Sequence, residues 1–300
     1  MKREKKLKRS TKRLAYGIIC VFLVLCFLAY YYLQLNKAQD NQKSRPEAVI
    51  VDHLSFRNET ANQTFVDVSR NILEKAGFVV DYYGGEEVNV DFYKSFLKYG
   101  YSLIVLRVHS AMIGNTTSLG LFTSELFDYE KATTTYYWEV YHERLVEAYF
   151  TEEERERGES YFAIAPNFIE EYGNFREATI IMMGCDGLKH NKTAEAFIKK
   201  GAKACIGWNG LVSTHHTDLA TTYLLQSLTC KNPVSEAVEN TLSKVGLEKM
   251  YFQDQGYYSK LKCYPQDAGS HMIQLSFDIS YTNTAEAKTF LVKEEDKQTI

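Results

Sequence analysis

The sequence predicts an α/β fold in which a mostly parallel sheet is covered by helices on both faces. Apolar runs alternate with segments of helical periodicity, which is the pattern of doubly wound sheets. Two of these runs, 102–108 and 179–183, are almost entirely apolar, as is typical of central strands buried on both faces. The first run ends at His109 and the second at Gly-Cys-Asp-Gly in 184–187, which is where parallel α/β sheets have their ligand sites.

The first half of the body follows a β-α-β-α-β order. Strands are predicted at 48–54, 78–83 and 102–108 from their β-branched and apolar runs. Helices are predicted at 65–76 and 90–99, since apolar side chains recur there at helical spacing and a glycine follows each segment. This order predicts a parallel sheet with right-handed crossovers.

The same rhythm returns after residue 187. A helix is predicted at 193–200 and a strand at 202–208, and two further helices at 215–228 and 233–245. The alternating segment 272–279 is predicted to form a late antiparallel strand at the edge of the sheet. We therefore expect three layers, α/β/α, within a single domain over 48–300.

Residues 110–178 interrupt this rhythm and are predicted to be an insert. A short strand or hairpin is expected at 119–127 and another brief strand at 161–165. The charge cluster 151–160 predicts a solvated helix or loop. Pro166 is expected to open a helix that runs to Tyr172, because proline fits the first helical turn.

The N-terminal region predicts a membrane anchor. Residues 1–14 contain eight Lys or Arg and one Glu, and residues 15–35 are uncharged and mostly apolar. About 20 such residues suffice to cross the hydrocarbon core as a helix. A cleaved signal peptide is the alternative, but the apolar run is long and no small-residue cleavage site follows it. The polar segment 36–47 is interpreted as a stalk.

Charge predicts the orientation of this anchor and excludes one class of partner. Because positive charge stays inside, the N-terminus should be cytoplasmic and the main domain outside, in a single-pass arrangement. The remainder of the chain is acidic, since the whole chain has a net charge of −3 despite its basic tail. An acidic body argues against nucleic acid as a partner. Asn-x-Thr sequons at Asn58, Asn62, Asn115 and Asn191 agree weakly with an external location.

Cys185 and His109 are the candidate catalytic residues. A thiol needs a neighbouring base or positive charge to become nucleophilic, and a histidine at the end of an adjacent strand can supply it. Acyl transfer also needs donors for the developing oxyanion, commonly backbone N–H groups. Ser110 and Gly184, each beside one of the two residues, are the candidate positions for these donors.

Other interpretations of these residues stay open. Cys185 could be a buried structural cysteine, or it could pair with Cys205, Cys230 or Cys263, because an external location permits disulfides. His190 is a weaker candidate base. His215 and His216 are adjacent on a helix and lack metal-clamp spacing, so we interpret that segment structurally, with Ser213 or Thr214 as the N-cap and Asp218 near the positive helix end.

These motifs resemble the caspase-like cysteine peptidases of clan CD. An apolar strand ending in His-Ser, followed later by an apolar strand ending in Gly-Cys-Asp-Gly, is similar to their pattern. The helix-Gly-Ala-strand segment 194–208 and the helix start at Pro233 resemble the CHAT-type members. The sequence departs from the family pattern at Ser110, where glycine is usual, and at Met183, where members that cleave after Lys or Arg often have Asp. The insert is also unlike the short caspase linker.

The resemblance implies a caspase-like cysteine endopeptidase with a Cys185–His109 dyad, and the N-terminal region predicts that it is membrane-anchored and extracytoplasmic. Its implied partners are a peptide or protein substrate and the membrane, with no cofactor and no metal. The alternative is a non-catalytic caspase-fold domain that binds a partner or acts as a sensor on a membrane anchor. A hydrolase-like or flavodoxin-like α/β domain ranks last, because no Gly-x-Ser-x-Gly elbow or phosphate loop is present.

Overall fold

A mixed, mostly parallel six-stranded sheet organises the computed structural model of this chain. The structure describes residues 46–252, 255–273 and 275, together with Phe27. The first five strands across the sheet are parallel, and the last pairs antiparallel to its neighbour. The order across the sheet is β2 (Val79–Gly84), β1 (Glu47–Asp52), β3 (Leu103–Arg107), β8 (Thr179–Met182), β9 (Ala204–Trp208) and β12 (Leu261–Tyr264). The predicted α/β class is therefore confirmed.

Both faces of the sheet are buried. The side chains of β3 and β8 are buried along their whole length, which explains their continuous apolar sequence. Alternate residues enter two separate hydrophobic clusters, with Leu106 and Met182 in one and Val105 and Ile181 in the other. Because side chains alternate along a strand, each cluster lies on one face of the sheet.

Helices contribute to both clusters, and the predicted helices are found within a few residues. Asn62 and Asn89 cap the first two, each accepting a hydrogen bond from a backbone N–H three residues on. The α-helices of the described residues are α1 (Gln63–Lys75), α2 (Val90–Phe96), α3 (Tyr129–Thr133), α4 (Tyr137–Tyr141), α5 (Glu152–Glu156), α6 (Pro166–Tyr172), α7 (Lys192–Lys199), α8 (Thr214–Thr229) and α9 (Val234–Val245). Helix α6 has the predicted bounds, whereas α2 ends earlier than the predicted helix at 90–99.

The predicted insert contains a second, antiparallel sheet. Its four strands have the order β4 (Ser110–Met112), β5 (Leu119–Leu126), β7 (Tyr161–Ile164) and β6 (Leu145–Ala148). The charge cluster forms α5, but Glu154 within it is not solvated, since its side chain is 13% exposed and pairs with Arg57 at 2.9 Å. The solvated interpretation is therefore wrong for Glu154.

Among the described residues, the antiparallel edge strand lies earlier in the tail than the segment 272–279 in which it was predicted. Residues Leu261–Tyr264 pair with β9, whereas residues 271–273 and 275 form no strand. Residues 274 and 276–279 lie outside the described residues. A strand of four residues is too short for periodicity to identify it. The hairpin formed by β10 (Glu248–Phe252) and β11 (Gln255–Ser259) comes directly before this edge strand in the chain.

The predicted tail and membrane span, and nearly all of the predicted stalk, lie outside the described residues, apart from Phe27. Within the described part of the chain, no helix has the length and apolarity needed to cross a bilayer. The anchor therefore stays a prediction. From Pro46 onward the described residues belong to one compact unit.

Candidate functional site

The chain segments that follow β3 and β8 lie in direct contact. Leu106 and Met182 are paired in register, so His109 and Cys185 each lie three residues beyond the paired positions. The hydroxyl of Ser110 donates a hydrogen bond to the backbone oxygen of Cys185 at 2.7 Å. The two candidate residues are thus on adjoining segments at the carboxyl edge of the sheet, as the strand pattern predicts.

Gly184 makes this close approach possible. A Cβ atom at this position would lie 2.2 Å from the Ser110 hydroxyl and 2.4 Å from the backbone oxygen of Val108. Such contacts are well below van der Waals separation, so only glycine fits without a shift of the backbone. The glycine before Cys185 is therefore needed to join the two segments.

The side chain of Cys185 is directed to the loop before α8. Its sulfur accepts a hydrogen bond from the N–H of Val212 at 3.4 Å and donates one to the oxygen of the same residue at 3.5 Å. Burial raises the pKa of the Cys185 thiol, the Val212 hydrogen bond opposes this, and the nearby carboxylates of Asp186 and Glu248 raise it further. The thiol is therefore protonated at neutral pH.

Three of the cysteines in the body are free thiols: Cys185, Cys205 and Cys263. Cys185 is thus not in the disulfide that the sequence left open. Cys205 is fully buried, as expected for a structural cysteine, and burial raises the pKa of its thiol. Cys185 differs because it is only partly buried.

The ring of His109 lies in an aromatic cluster of the insert. It meets the ring of Phe122 edge-on at 4.6 Å between centroids and that of Phe150 at 4.6 Å. Burial lowers the pKa of His109 to about 4, and the nearby Arg57 guanidinium lowers it further while Glu154 opposes. The imidazole is therefore neutral at pH 7 and is able to accept a proton.

The contacts of the two candidate side chains lead to different neighbours. Cys185 is hydrogen-bonded to Val212, and His109 packs on Phe122 and Phe150. The two backbones adjoin, whereas direct pairing of sulfur and imidazole stays a prediction. The same holds for the oxyanion donors at Ser110 and Gly184.

Sequence reasoning missed His53, which also follows a strand. It comes directly after β1, and its Nδ1 accepts a hydrogen bond from the N–H of His109 at 3.4 Å. Its side chain is fully buried, and burial lowers its pKa to about 3, with the neighbouring His109 contributing and the backbone of Thr123 opposing. The predicted strand at 48–54 placed His53 inside the strand, whereas β1 ends at Asp52, so His53 follows a strand end only in the structure.

A buried ion network behind the site was also missed. Arg107 donates to both carboxylate oxygens of Asp218, at 2.8 and 2.9 Å, and to Asp52 at 2.8 Å. Arg107 and Asp52 are fully buried. Burial raises the pKa of Asp52, and Arg107 opposes this while Asp218 adds to it. The sequence did contain a signal, because Asp52 and Arg107 each lie within an apolar run that predicts a strand. Buried charged residues are rare unless they are paired.

Asp218 therefore has a different role from the one predicted. It lies on α8, but it binds Arg107 and also accepts from the side chain of Asn62 at 2.9 Å. The N-cap prediction is confirmed for Ser213, whose hydroxyl accepts from the N–H of His216 at 3.3 Å. Asn62, a predicted glycosylation site, is thus partly buried and engaged within the fold.

The weaker candidate base, His190, and the structurally interpreted His216 lie in different environments. His190 is exposed. His216 is mostly buried and pairs with Glu248, with 2.9 Å between Nδ1 and the carboxylate. Among the described residues, no group of three or more His, Cys, Asp or Glu is arranged to hold a metal ion.

The buried histidines predict a loss of stability in acid. The unfolded chain takes up protons near the ordinary histidine pKa of 6.5, whereas folded His109 and His53 do so only near 4 and 3. The unfolded state therefore binds more protons below about pH 6.5, and stability falls as pH falls, by about 1.4 kcal/mol per pH unit for each histidine.

Replacement of His53 by Phe should flatten this dependence. The phenyl ring suits the surrounding rings, since Phe56 lies 4.8 Å from the imidazole centroid. Urea unfolding between pH 7 and 4 should show a slope for His53→Phe smaller than wild type by about 1.4 kcal/mol per pH unit. An unchanged slope would show that His53 is protonated normally in the folded protein.

No model of a known protein family matches this chain, and no curated protein matches it either. Function therefore has to be argued from the geometry and chemistry of the site.

Proposed function

We propose that this protein is a caspase-like cysteine endopeptidase, with Cys185 as nucleophile and His109 as general base. One observation carries the proposal: the segments bearing these residues adjoin at the carboxyl edge of neighbouring parallel strands, where Ser110 bonds to the backbone of Cys185 at 2.7 Å. The proposal includes the finer fold, a three-layer caspase-like arrangement. This finer fold is supported by the sheet, in which five parallel strands are followed by one antiparallel strand at the edge.

The protonation states are those from which general-base catalysis starts, although the low pKa of His109 makes the imidazole a weak base in this resting arrangement. The thiol of Cys185 is protonated and the imidazole of His109 is neutral at pH 7. As the sulfur attacks the carbonyl carbon of a peptide bond, His109 accepts the thiol proton. It then donates that proton to the departing amine, which leaves a thioester on Cys185.

Hydrolysis of the thioester completes the cycle. His109 takes a proton from water as the water oxygen attacks the thioester carbon, and the proton returns to the sulfur when the acid product leaves. Backbone N–H groups at Ser110 and Gly184 would stabilise the oxyanion in both steps. Attack requires the sulfur to leave its contacts with Val212, so the resting arrangement is a closed one.

We propose further that the domain is held outside the membrane by the N-terminal segment 15–35. The uncharged composition of this segment and the basic residues before it support this placement. A peptide or protein is the proposed substrate.

A non-catalytic binding domain is the second candidate, and a specific observation favours it. The Cys185 sulfur both donates a hydrogen bond to the backbone of Val212 and accepts one from it, and burial keeps the thiol protonated. These are the properties of a cysteine that holds a loop in place. The two candidates differ in one measurable property, which is the dependence of Cys185 reactivity on His109.

We expect a peptidyl acyloxymethyl ketone to label Cys185 in a manner that depends on His109. Loss of the general base in His109→Ala should slow labelling by about 100-fold or more. His109→Phe should show the same loss while retaining aromatic packing against Phe122 and Phe150. The rate is measured by mass spectrometry of the peptide containing Cys185.

His190→Ala is the matched control, because this histidine is exposed and follows Cys185 closely in the chain. It should label at the wild-type rate. If His109→Phe labels as fast as wild type, the dyad does not exist, and the binding-domain candidate is favoured.

A further inference from the structure

The segment 209–213 covers the thiol of Cys185. Val212 within it donates to and accepts from the sulfur, and the oxygen of Gly210 accepts from the N–H of Asp186 at 2.9 Å. The segment therefore contacts both Cys185 and the residue after it. Its position determines whether the sulfur can meet another molecule.

Glu248, the first residue of β10, holds this segment from the other side. One carboxylate oxygen accepts from the N–H of Ser213 at 3.3 Å, and the other lies 2.9 Å from Nδ1 of His216. The carboxylate thus ties the end of the covering segment to the first turn of α8. Both side chains are mostly buried, at 11% exposure for Glu248 and 16% for His216.

Ser259 at the end of β11 and Lys260 directly after it hold the other end of the segment. Asn209 exchanges two hydrogen bonds with the backbone of Lys260, at 2.7 and 3.1 Å. Ser259 lies against Gly210, where an added Cβ would be 3.4 Å from its hydroxyl. Residues at the base of the β10–β11 hairpin therefore bind both ends of the segment 209–213.

Two buried polar atoms in this region lack hydrogen-bond partners among the described residues. They are Nε2 of His216 and the hydroxyl of Ser259. Buried polar groups are normally satisfied, so unpaired ones mark a place where the packing is not optimal for stability. Breaking the contacts that hold the segment 209–213 therefore costs less free energy than it would if every buried polar atom were hydrogen-bonded.

We propose that Glu248 and His216 are positioning residues for Cys185, which hold the segment 209–213 over the thiol and keep it unreactive until the β10–β11 hairpin is displaced. The charged groups around the sulfur agree with this role. The negative charges of Glu248, in the hairpin, and of Asp186, next to Cys185 in the chain, both disfavour the thiolate. The ammonium group of Lys189 lies 3.4 Å from the Asp186 carboxylate and partly offsets its charge. The proposal names the regulation of the proposed nucleophile, and its test needs no peptidase activity.

Alkylation of the full chain by iodoacetamide tests this directly. Glu248→Ala removes the charge and both tethers, and should raise the rate at Cys185 by about tenfold at pH 8. Glu248→Gln keeps hydrogen-bonding groups and removes only the charge that disfavours the thiolate, so the pH midpoint of alkylation should fall. Glu248→Asp should restore the wild-type midpoint.

Two internal controls make the result interpretable. Glu74→Ala changes an exposed carboxylate at the end of α1 and should leave the rate unchanged. Cys205 is fully buried and should stay unlabelled, which shows that the fold is intact. If Cys205 becomes reactive in Glu248→Ala, that variant is unfolded, and the proposal is judged only on the pH midpoint of Cys185 alkylation in Glu248→Gln.

The proposal is overturned if Glu248→Ala reacts at the wild-type rate while Cys205 stays protected, or if Glu248→Gln has an unchanged midpoint. Neither outcome depends on His109. Failure of this inference is therefore distinguishable from failure of the proposed dyad, which the peptidyl ketone tests separately.

Discussion

Replacement of Arg107 by Met should lower the free energy of unfolding by about 3–5 kcal/mol, because it leaves two buried carboxylates without their cation. The guanidinium is fully buried and binds Asp218 through two nitrogens, Asp52 through a third contact, and the backbone oxygen of Thr60 at 2.7 Å. Met is apolar and retains the aliphatic part of the Arg side chain, which limits the packing that is lost.

A triple variant separates charge from packing. Arg107→Met combined with Asp52→Asn and Asp218→Asn removes the buried charges together, and should recover much of the stability lost in the single variant. Urea denaturation followed by tryptophan fluorescence measures this, since Trp208 is 1% exposed in the folded protein. A loss below about 1 kcal/mol in Arg107→Met would mean that water reaches the network, as it does at surface ion pairs.

The second large effect is expected at Gly184. Its replacement by Ala should cost about 1–3 kcal/mol of stability, as overpacking typically does. The added methyl group would meet the backbone oxygen of Val108 at 2.4 Å, which cannot rotate away. Relief requires the segments after β3 and β8 to separate, so the Ser110 hydrogen bond to Cys185 should also weaken.

Gly207→Ala is the matched control. It lies in β9, and its added Cβ would find its nearest neighbours at 3.4 to 3.5 Å, which is ordinary contact. Both variants are compared by urea unfolding and by labelling of Cys185 with the peptidyl ketone. Equal stability of the two variants would show that the backbone around Val108 yields easily. Equal labelling would show that the contact between the segments does not position Cys185.

The prediction of the central strands and of α6 depended on local sequence alone. β3 and β8 are continuous apolar runs, and Pro166 begins a helix because its ring suits the first turn. The carboxyl ends of parallel strands meet at one edge of a sheet, so the adjoining positions of His109 and Cys185 also followed from pattern. The edge strand did not, since its four residues carry too little periodicity.

Local patterns were sufficient to predict the α/β class, most element bounds, the anchor and the two candidate residues, because composition and periodicity are local properties. The directions and contacts of the side chains followed only from the packing of the folded chain. Arg107 meets Asp218 across 111 residues of chain, and Val212 reaches the sulfur of Cys185 across 27. Such contacts depend on how distant segments pack, and so do burial and the pKa values that burial changes. The protonated thiol and the neutral imidazole are therefore consequences of packing that no local pattern records.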